Sequence, residues 1–269
     1  MSRLDVFLTE KNYVKSRERA KKLIKSGEVK VNGKVVSKPS AEISDSDSIE
    51  LLKEDFAYVS RGLLKLSGGL DFFGIDVNGL ICADIGASTG GFTQCLLDRG
   101  AGYVYAVDVG HGQLDESLVN NLQVKNCEGV NARNLTADYF DRTIDFISVD
   151  LSFISLKLVM PALVNVLKNN GEICALIKPQ FEVGKKSVGK NGIVKDKGEH
   201  IRILNELTDF FISLGLDIKG LTNSSVTGGD GNIEYLVYMK KTGNYSEFME
   251  SFNISAFVMK VFSEFSAKE

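Results

Sequence analysis

The sequence predicts an α/β protein: a doubly wound parallel sheet preceded by a small, basic α+β module. Three observations carry this expectation. From Leu80 onward, short apolar runs that end in a polar residue alternate with helix-like segments, the pattern of βαβ units whose strands are buried on both faces. Residues 1–40 hold eleven lysines and arginines against four acids, a balance of +7, so the remainder carries −10 of a net charge of −3. Within that basic stretch Asn32-Gly33 separates two alternating runs, the strongest short-range signal of a β-hairpin.

The composition is that of an ordinary globular chain: 269 residues, 43% hydrophobic and 25% charged. This excludes disordered, collagen-like and coiled-coil architectures, and the length suits two domains better than one. Cys82, Cys95, Cys127 and Cys174 lie far apart and form no C-x-x-C pair. We therefore expect no disulfide framework, no metal site, and reduced, buried thiols in a cytoplasmic protein. The longest stretch without charge, Ile85 to Leu97, is rich in Gly, Ser and Thr and shorter than the ~18 apolar residues of a spanning helix. No apolar run follows Met-Ser-Arg-Leu-Asp, so neither secretion nor membrane insertion is expected.

In the basic module, Leu4, Phe7, Leu8 and Val14, then Ala20, Leu23 and Ile24, recur at spacings that fit two short amphipathic helices. Lys11-Asn12-Tyr13 breaks them, and Ser16 is the candidate N-cap of the second. Ser26-Gly27 stops that helix, and the hairpin Val29 to Val36 follows. Basic side chains fall on the solvent side. A solvated charge face would share this composition, but the order of elements adds weight to a polyanion partner. Acidic residues Glu42, Asp45, Asp47, Glu50, Glu54 and Asp55 then lead to a boundary between about residues 53 and 60.

In the body, Leu80–Asp84, Val104–Asp108, Phe146–Asp150 and Ile173–Ile177 read as buried strands, with Gly91–Arg99 and Leu156–Lys168 as helices. Ligand-binding residues of such sheets gather at the carboxyl ends of the strands. The first strand runs into Asp84-Ile85-Gly86-Ala87-Ser88-Thr89-Gly90-Gly91, a glycine-rich turn that lets backbone approach a ligand. Its spacing is neither G-x-G-x-x-G nor a P-loop. Gly184-Lys185-Lys186-Ser187 only mimics a P-loop tail and reads as a basic loop. Asp108, at the end of the next strand, is placed to accept ribose hydroxyls, and His111 to line the same pocket. No [DNS]-P-P-[YFW] motif of amino-methylating enzymes occurs; Asp150-Leu151-Ser152-Phe153 stands instead. Lys178, directly after a buried strand, is a candidate base or oxyanion partner for a weakly acidic hydroxyl.

Residues Arg3-Leu4-Asp5, Ser16 to Ala20 and Ile24 to Gly33 resemble the RNA-binding domain first seen in ribosomal protein S-four. That resemblance implies Arg3, Arg17, Arg19, Lys21, Lys22 and Lys25 as RNA contacts. The glycine loop resembles that of class I (Rossmann-like) methyltransferases. It implies S-adenosyl-L-methionine as cofactor, held by Asp84, Gly86, Ser88, Gly90, Gly91, Asp108 and, at the adenine, Asn131.

The fuller set of motifs is Tyr58 to Gly62, Lys65-Leu66, Asp108 to Leu114, Asp150 to Ser155, Lys178 to Glu182 and Gly228 to Glu234. Together they resemble the TlyA (hemolysin A-like) family of ribosomal RNA 2′-O-methyltransferases, over about residues 3–241. The resemblance implies an FtsJ-like catalytic tetrad of Lys65, Asp150, Lys178 and Glu234. In it Lys178 is the base or alkoxide-stabilising group, Asp150 and Lys65 tune its charge, and Glu234 orients. Leu63 departs from the glycine many relatives carry, which touches the local turn rather than the tetrad. The expected domains are 1–55 (RNA binding), 56–60 (linker), 61–245 (methyltransferase) and 246–269 (C-terminal helical extension). The expected partner is ribosomal RNA, with cytidine suggested by the family, or a ribosomal subunit; the oligomeric state is left open. Two other readings, a membrane-active hemolysin and an RNA-binding protein with an inactive body, fit the residues less well. An acidic body is repelled by anionic lipid, and all four tetrad positions carry competent side chains.

Overall fold

The computed structural model describes residues 2–11, 13–14, 17–44, 47–52, 59–184, 188–189, 192–228, 231–243 and 245–266. The chain divides into two compact units, Met1–Tyr58 and Val59–Glu269. Ser16, Asp45, Glu54, Asp55, Tyr58 and the Lys185-Lys186-Ser187 run, all singled out above, lie outside the described residues.

The small unit comprises β1 (Ser2–Arg3), α1 (Leu4–Glu10), α2 (Arg17–Lys25), β2 (Val29–Val31), β3 (Lys34–Val35), β4 (Glu42–Ile43) and β5 (Ile49–Leu51). Strand β2 lies between β3 and β5, and β1 pairs with β4, all antiparallel. Asn32 (φ 51°) and Gly33 (φ 77°) both take the left-handed conformation, as a two-residue type I′ turn demands. The predicted apolar stripes of the two helices form a core with Val14, Val29 and Ile43. Each helix is too short to persist alone, so this shared burial stabilises them.

The body comprises α3 (Gly62–Phe73), β6 (Ile81–Ile85), α4 (Gly91–Asp98), β7 (Tyr103–Asp108), α5 (Glu116–Val119), β8 (Val124–Glu128), β9 (Ile144–Val149), α6 (Met160–Val166), β10 (Leu167–Ile177), α7 (Pro179–Glu182), α8 (Lys197–Ser213), β11 (Leu216–Asn223), β12 (Tyr235–Lys241), α9 (Glu247–Ser251) and α10 (Ile254–Ser266). Its seven strands run in the order β11-β12-β10-β9-β6-β7-β8. Period-2 alternation gives each central strand two apolar faces. Ala83 and Ile85 join the large cluster built with α6, α8 and α10, whereas Asp84 between them meets Thr93 of α4.

Two expectations need correction. The sheet is mixed, because β12 runs antiparallel to both β10 and β11. The connection from β11 to β12 carries no crossover helix among its described residues, and without one neighbouring strands pair antiparallel. The helix expected at Leu156–Lys168 is a 3-10 turn, Leu156–Leu158, followed by α6, which stops at Val166. Beyond it Leu167 already pairs with Ile144, and Asn170 at φ 60° is incompatible with a continuing helix.

The C-terminal helices pack on the body. Ile254, Val258 and Val261 are buried, and Phe248, Phe252, Phe257, Phe262 and Phe265 lie against the same core. Beneath them His200 of α8 is held at both ring nitrogens, 2.7 Å from the Tyr235 hydroxyl and 2.9 Å from the Val194 carbonyl. A carbonyl only accepts, so Nε2 carries the proton and Nδ1 accepts from the tyrosine. Among the described residues no helix is long and apolar enough to cross a membrane, and no group of three or more His, Cys, Asp or Glu could hold a metal ion.

Candidate active site

At the carboxyl ends of β6, β7 and β9 lies a cavity of about 510 Å³, lined by Gly86, Ser88, Asp108, Asn131, Asp150, Ser152 and a set of apolar side chains that includes Val107, Val109, Val130 and Val159. Gly86 has φ 87°, and a Cβ on it would collide with the Asp150 carbonyl, so glycine alone allows β6 to turn away here. Asp108 accepts hydrogen bonds from Ser88 N and Gly110 N, each at 2.8 Å and each on a different oxygen. Each carboxylate oxygen retains a lone pair for a further donor. Asn131 Oδ1 accepts from Arg133 N at 3.1 Å, which caps the turn that follows. The volume falls within the ~300–1,000 Å³ of small-molecule sites. A carboxylate beside an apolar slot fits the hydroxyls and base of a nucleoside, so these residues fit S-adenosyl-L-methionine.

Part of the glycine loop serves packing instead, and several expected cofactor residues do not line the cavity. A Cβ on Gly90 would meet Leu118 and Leu114, and one on Gly91 would meet Ser60 and the Leu63 backbone. These two glycines let α3 and α5 approach the start of α4. Leu63 sits inside α3, so the turn in doubt is regular helix. Asp84 is fully buried below the loop, where Thr93 Oγ1 donates to it at 2.7 Å and Ser148 Oγ at 3.0 Å. Burial pushes its carboxyl up to about 7, because a low-dielectric surrounding disfavours the charged form. His111 is also absent from the lining; it is exposed, with its ring against Gly129.

Sheet register brings three of the four expected tetrad residues to this edge. Ile177 is the partner of Tyr235 across the antiparallel pair, and Ala175 that of Val149 across the parallel one. Lys178, Glu234 and Asp150 therefore fall at neighbouring strand ends. Lys178 Nζ lies 2.6 Å from Asp150 Oδ1, without an aligned hydrogen bond to that oxygen, and donates to Ser152 Oγ at 2.9 Å.

Lys65 comes from α3. A Cβ on Gly69 would stand 2.9 Å from Leu236, so the helix lies close on β12 at that point. Lys65, one turn earlier on the same face, reaches Glu234, two residues before Leu236, at 2.6 Å. Side-chain exposures of 11% and 2% for Lys65 and Glu234, and 10% and 20% for Lys178 and Asp150, make these two largely desolvated ion pairs.

Ser152, Gln113 and Phe153 also line the cavity but were not read as site residues. Ser152 and Phe153 stood inside a quoted motif, which gave no sign of their contacts. Phe153 is 90% exposed, takes φ 65°, and its ring centroid lies 4.9 Å from that of Phe181. A bulky residue rarely takes this strained conformation with its ring in water.

In the small unit, Arg19, Lys21, Lys22 and Lys25 share an open groove with Glu18 and Ser26. Arg3 and Arg17 are not on it; both reach the buried Asp5, Arg3 with two hydrogen bonds of 2.9 and 3.0 Å and Arg17 at 3.3 Å. A buried carboxylate requires such partners, so these two arginines have a structural task.

Residues 58–241 match the model of the FtsJ-like methyltransferases, and residues 2–49 that of the S4 domain. The chain is 42% identical over 240 residues to the 16S/23S rRNA (cytidine-2′-O)-methyltransferase TlyA of Mycobacterium tuberculosis, covering 89% of this chain and 90% of that protein. It is 41% identical over 237 residues to Hemolysin A of Brachyspira hyodysenteriae, covering 88% and 98%. A solved structure from Streptococcus thermophilus that carries the hemolysin name superposes with a TM-score of 0.78 at 39% identity, covering 99% of this chain and 97% of that one.

Proposed function

Because this chain belongs to the TlyA family of FtsJ-like methyltransferases with an N-terminal RNA-binding domain, we propose that it methylates the 2′-hydroxyl of a cytidine in ribosomal RNA, with Lys178 at the acceptor oxygen. S-adenosyl-L-methionine supplies a methyl group already activated on a sulfonium. Gly86, Ser88, Asp108 and Asn131 hold that cofactor, and Val109, Val130 and Val159 bound its base. The observation that supports the reading best is that Lys178 pairs with Asp150, a residue of the wall of the 510 Å³ cavity.

A ribose hydroxyl is a very weak acid, so its oxygen needs a positive partner as charge develops. Asp150 and Ser152 occupy two directions around Lys178 Nζ and leave the third for the 2′-oxygen. Lys65 neutralises Glu234, which keeps the edge of the site from repelling that charge. The groove of Arg19, Lys21, Lys22 and Lys25 takes RNA phosphates, contacts that position without reading sequence. Phe153 offers a face on which a base can stack. A ribosomal subunit in the cytoplasm is the substrate. As for the hemolysin name, no described helix is long and apolar enough to cross a membrane.

The test is incorporation of labelled methyl from S-adenosyl-L-methionine into isolated ribosomal subunits, mapped to ribose by nucleoside digestion. Wild type should label a cytidine 2′-oxygen, and Lys178→Ala should not. Normal labelling by the variant removes Lys178 from the mechanism, and label on a base removes the acceptor.

A further inference from the structure

The cofactor reading leaves Glu128 unused, although it is among the most heavily hydrogen-bonded carboxylates in the body. It ends β8, directly beside Asp108 in the parallel register. Its Oε1 accepts from Gln113 N at 2.6 Å and Leu114 N at 3.0 Å, and its Oε2 from Gly112 N at 3.0 Å and Asn126 Nδ2 at 3.1 Å. Three consecutive backbone amides thus converge on one side chain. These bonds drive the carboxyl down to about 2, as expected when several donors stabilise the charged form.

The segment so held follows Asp108 and carries two glycines, Gly110 and Gly112, the second at φ 65°. Glycine has little intrinsic preference for one conformation, so this loop needs an external brace. It supplies Val109 and Gln113 to the cavity wall; Gln113 Oε1 accepts from Ser88 Oγ at 3.3 Å, and Leu114 packs toward Gly90. Asp108 braces the near end through Gly110 N. Ribose hydroxyls would meet the same carboxylate at its remaining lone pairs, so the set of this loop fixes where they bind.

We infer that Glu128 is a positioning residue for the cofactor: it fixes the Val109–Leu114 wall that stands beside Asp108. This rests on the cofactor reading above. Glu128 cannot act on the acceptor chemistry, because β7, β6 and β9 lie between β8 and β10. Four inter-strand steps of about 4.8 Å place it roughly 19 Å from Lys178. Its loss should therefore change affinity and not the rate of transfer.

The experiment is calorimetric titration of the full-length protein with S-adenosylhomocysteine, together with methylation kinetics on ribosomal subunits at saturating S-adenosyl-L-methionine. Glu128→Gln keeps the size and removes the charge, and Kd should rise about tenfold or more, the scale of lost charge-assisted hydrogen bonds. kcat should stay within about twofold, since uniform binding contributes to KM and not to kcat. Amide exchange at Gly112–Leu114 should accelerate in the same variant. Asn126→Ala, which loosens the carboxylate without touching the loop, should raise Kd by about two- to fivefold; it carries the test if Glu128→Gln does not fold. A wild type that binds while both variants bind equally well overturns the inference alone, as does a fall in kcat with Kd unchanged. A wild type that binds no S-adenosylhomocysteine overturns the cofactor reading and the inference with it.

Discussion

Lys65 Nζ and Glu234 Oε2 meet at 2.6 Å across 169 positions of sequence, one from a helix before the first strand of the sheet and the other from the residue just before its last strand. Both are nearly out of water, so neither charge is tolerable alone. Removing one partner of a buried pair costs about 3–5 kcal/mol, whereas replacing both with apolar groups of similar volume is often neutral. Lys65→Met and Glu234→Leu should therefore each lower the urea midpoint strongly, and the double variant should recover most of the loss. Additive losses would show that the two charges do not depend on each other.

Asp84 makes stability depend on pH. Folding raises its carboxyl from the ordinary value of about 3.9 to about 7, so between those values the folded state holds a proton that the unfolded chain has released. Stability from this group is full below about pH 4 and falls by up to about 1.4 kcal/mol per unit as pH rises toward 7. Asp84→Asn, which mimics the neutral form, should remove that slope in denaturation between pH 4.5 and 7.5. Identical slopes in the two proteins would mean that Asp84 is charged within the fold.

Phe153 holds its ring in solvent in a conformation a bulky residue rarely adopts. Phe153→Ala should leave the melting temperature and cofactor affinity nearly unchanged while reducing kcat/KM for RNA. Base–aromatic stacking of about 1–3 kcal/mol corresponds to a loss between fivefold and 150-fold. A loss of cofactor affinity instead would assign the ring to the cofactor rather than to RNA.

The basic groove predicts a salt effect. Replacing Lys22 and Lys25 with Gln should flatten the plot of log K against log salt for RNA binding by about 0.7–0.9 for each phosphate no longer neutralised. Arg3→Gln and Arg17→Gln should act differently, lowering stability through Asp5 with little change in that slope. Filter binding at several salt concentrations, with urea denaturation of the same proteins, separates the two groups.

The parallel strands and the Asn32-Gly33 hairpin were legible because each rests on a local signal, an apolar run or a turn dipeptide, whereas the pairing of Lys65 with Glu234 and of Lys178 with Asp150 has no such signal. The division of the glycine loop was not legible. Gly86 and Gly90 look alike in sequence, and only their surroundings separate a glycine of the cavity wall from a packing one. Arg3 and Arg17 read as RNA contacts alone because nothing local reveals that their partner Asp5, amid Leu4, Phe7 and Leu8, is buried. Glu128 was silent for the same reason: its partners are backbone amides fourteen to sixteen positions away, and amides leave no trace in residue identity.

The reversed direction of β12 sets the order in which the enzyme comes into being. Because that strand inserts between β11 and β10, and Glu234 immediately precedes it, the sheet cannot close and Lys65 has no partner until the chain has been translated well past residue 234. A nascent chain therefore lacks both the Lys65–Glu234 pair and the strand that joins β10 to β11 until synthesis is nearly done.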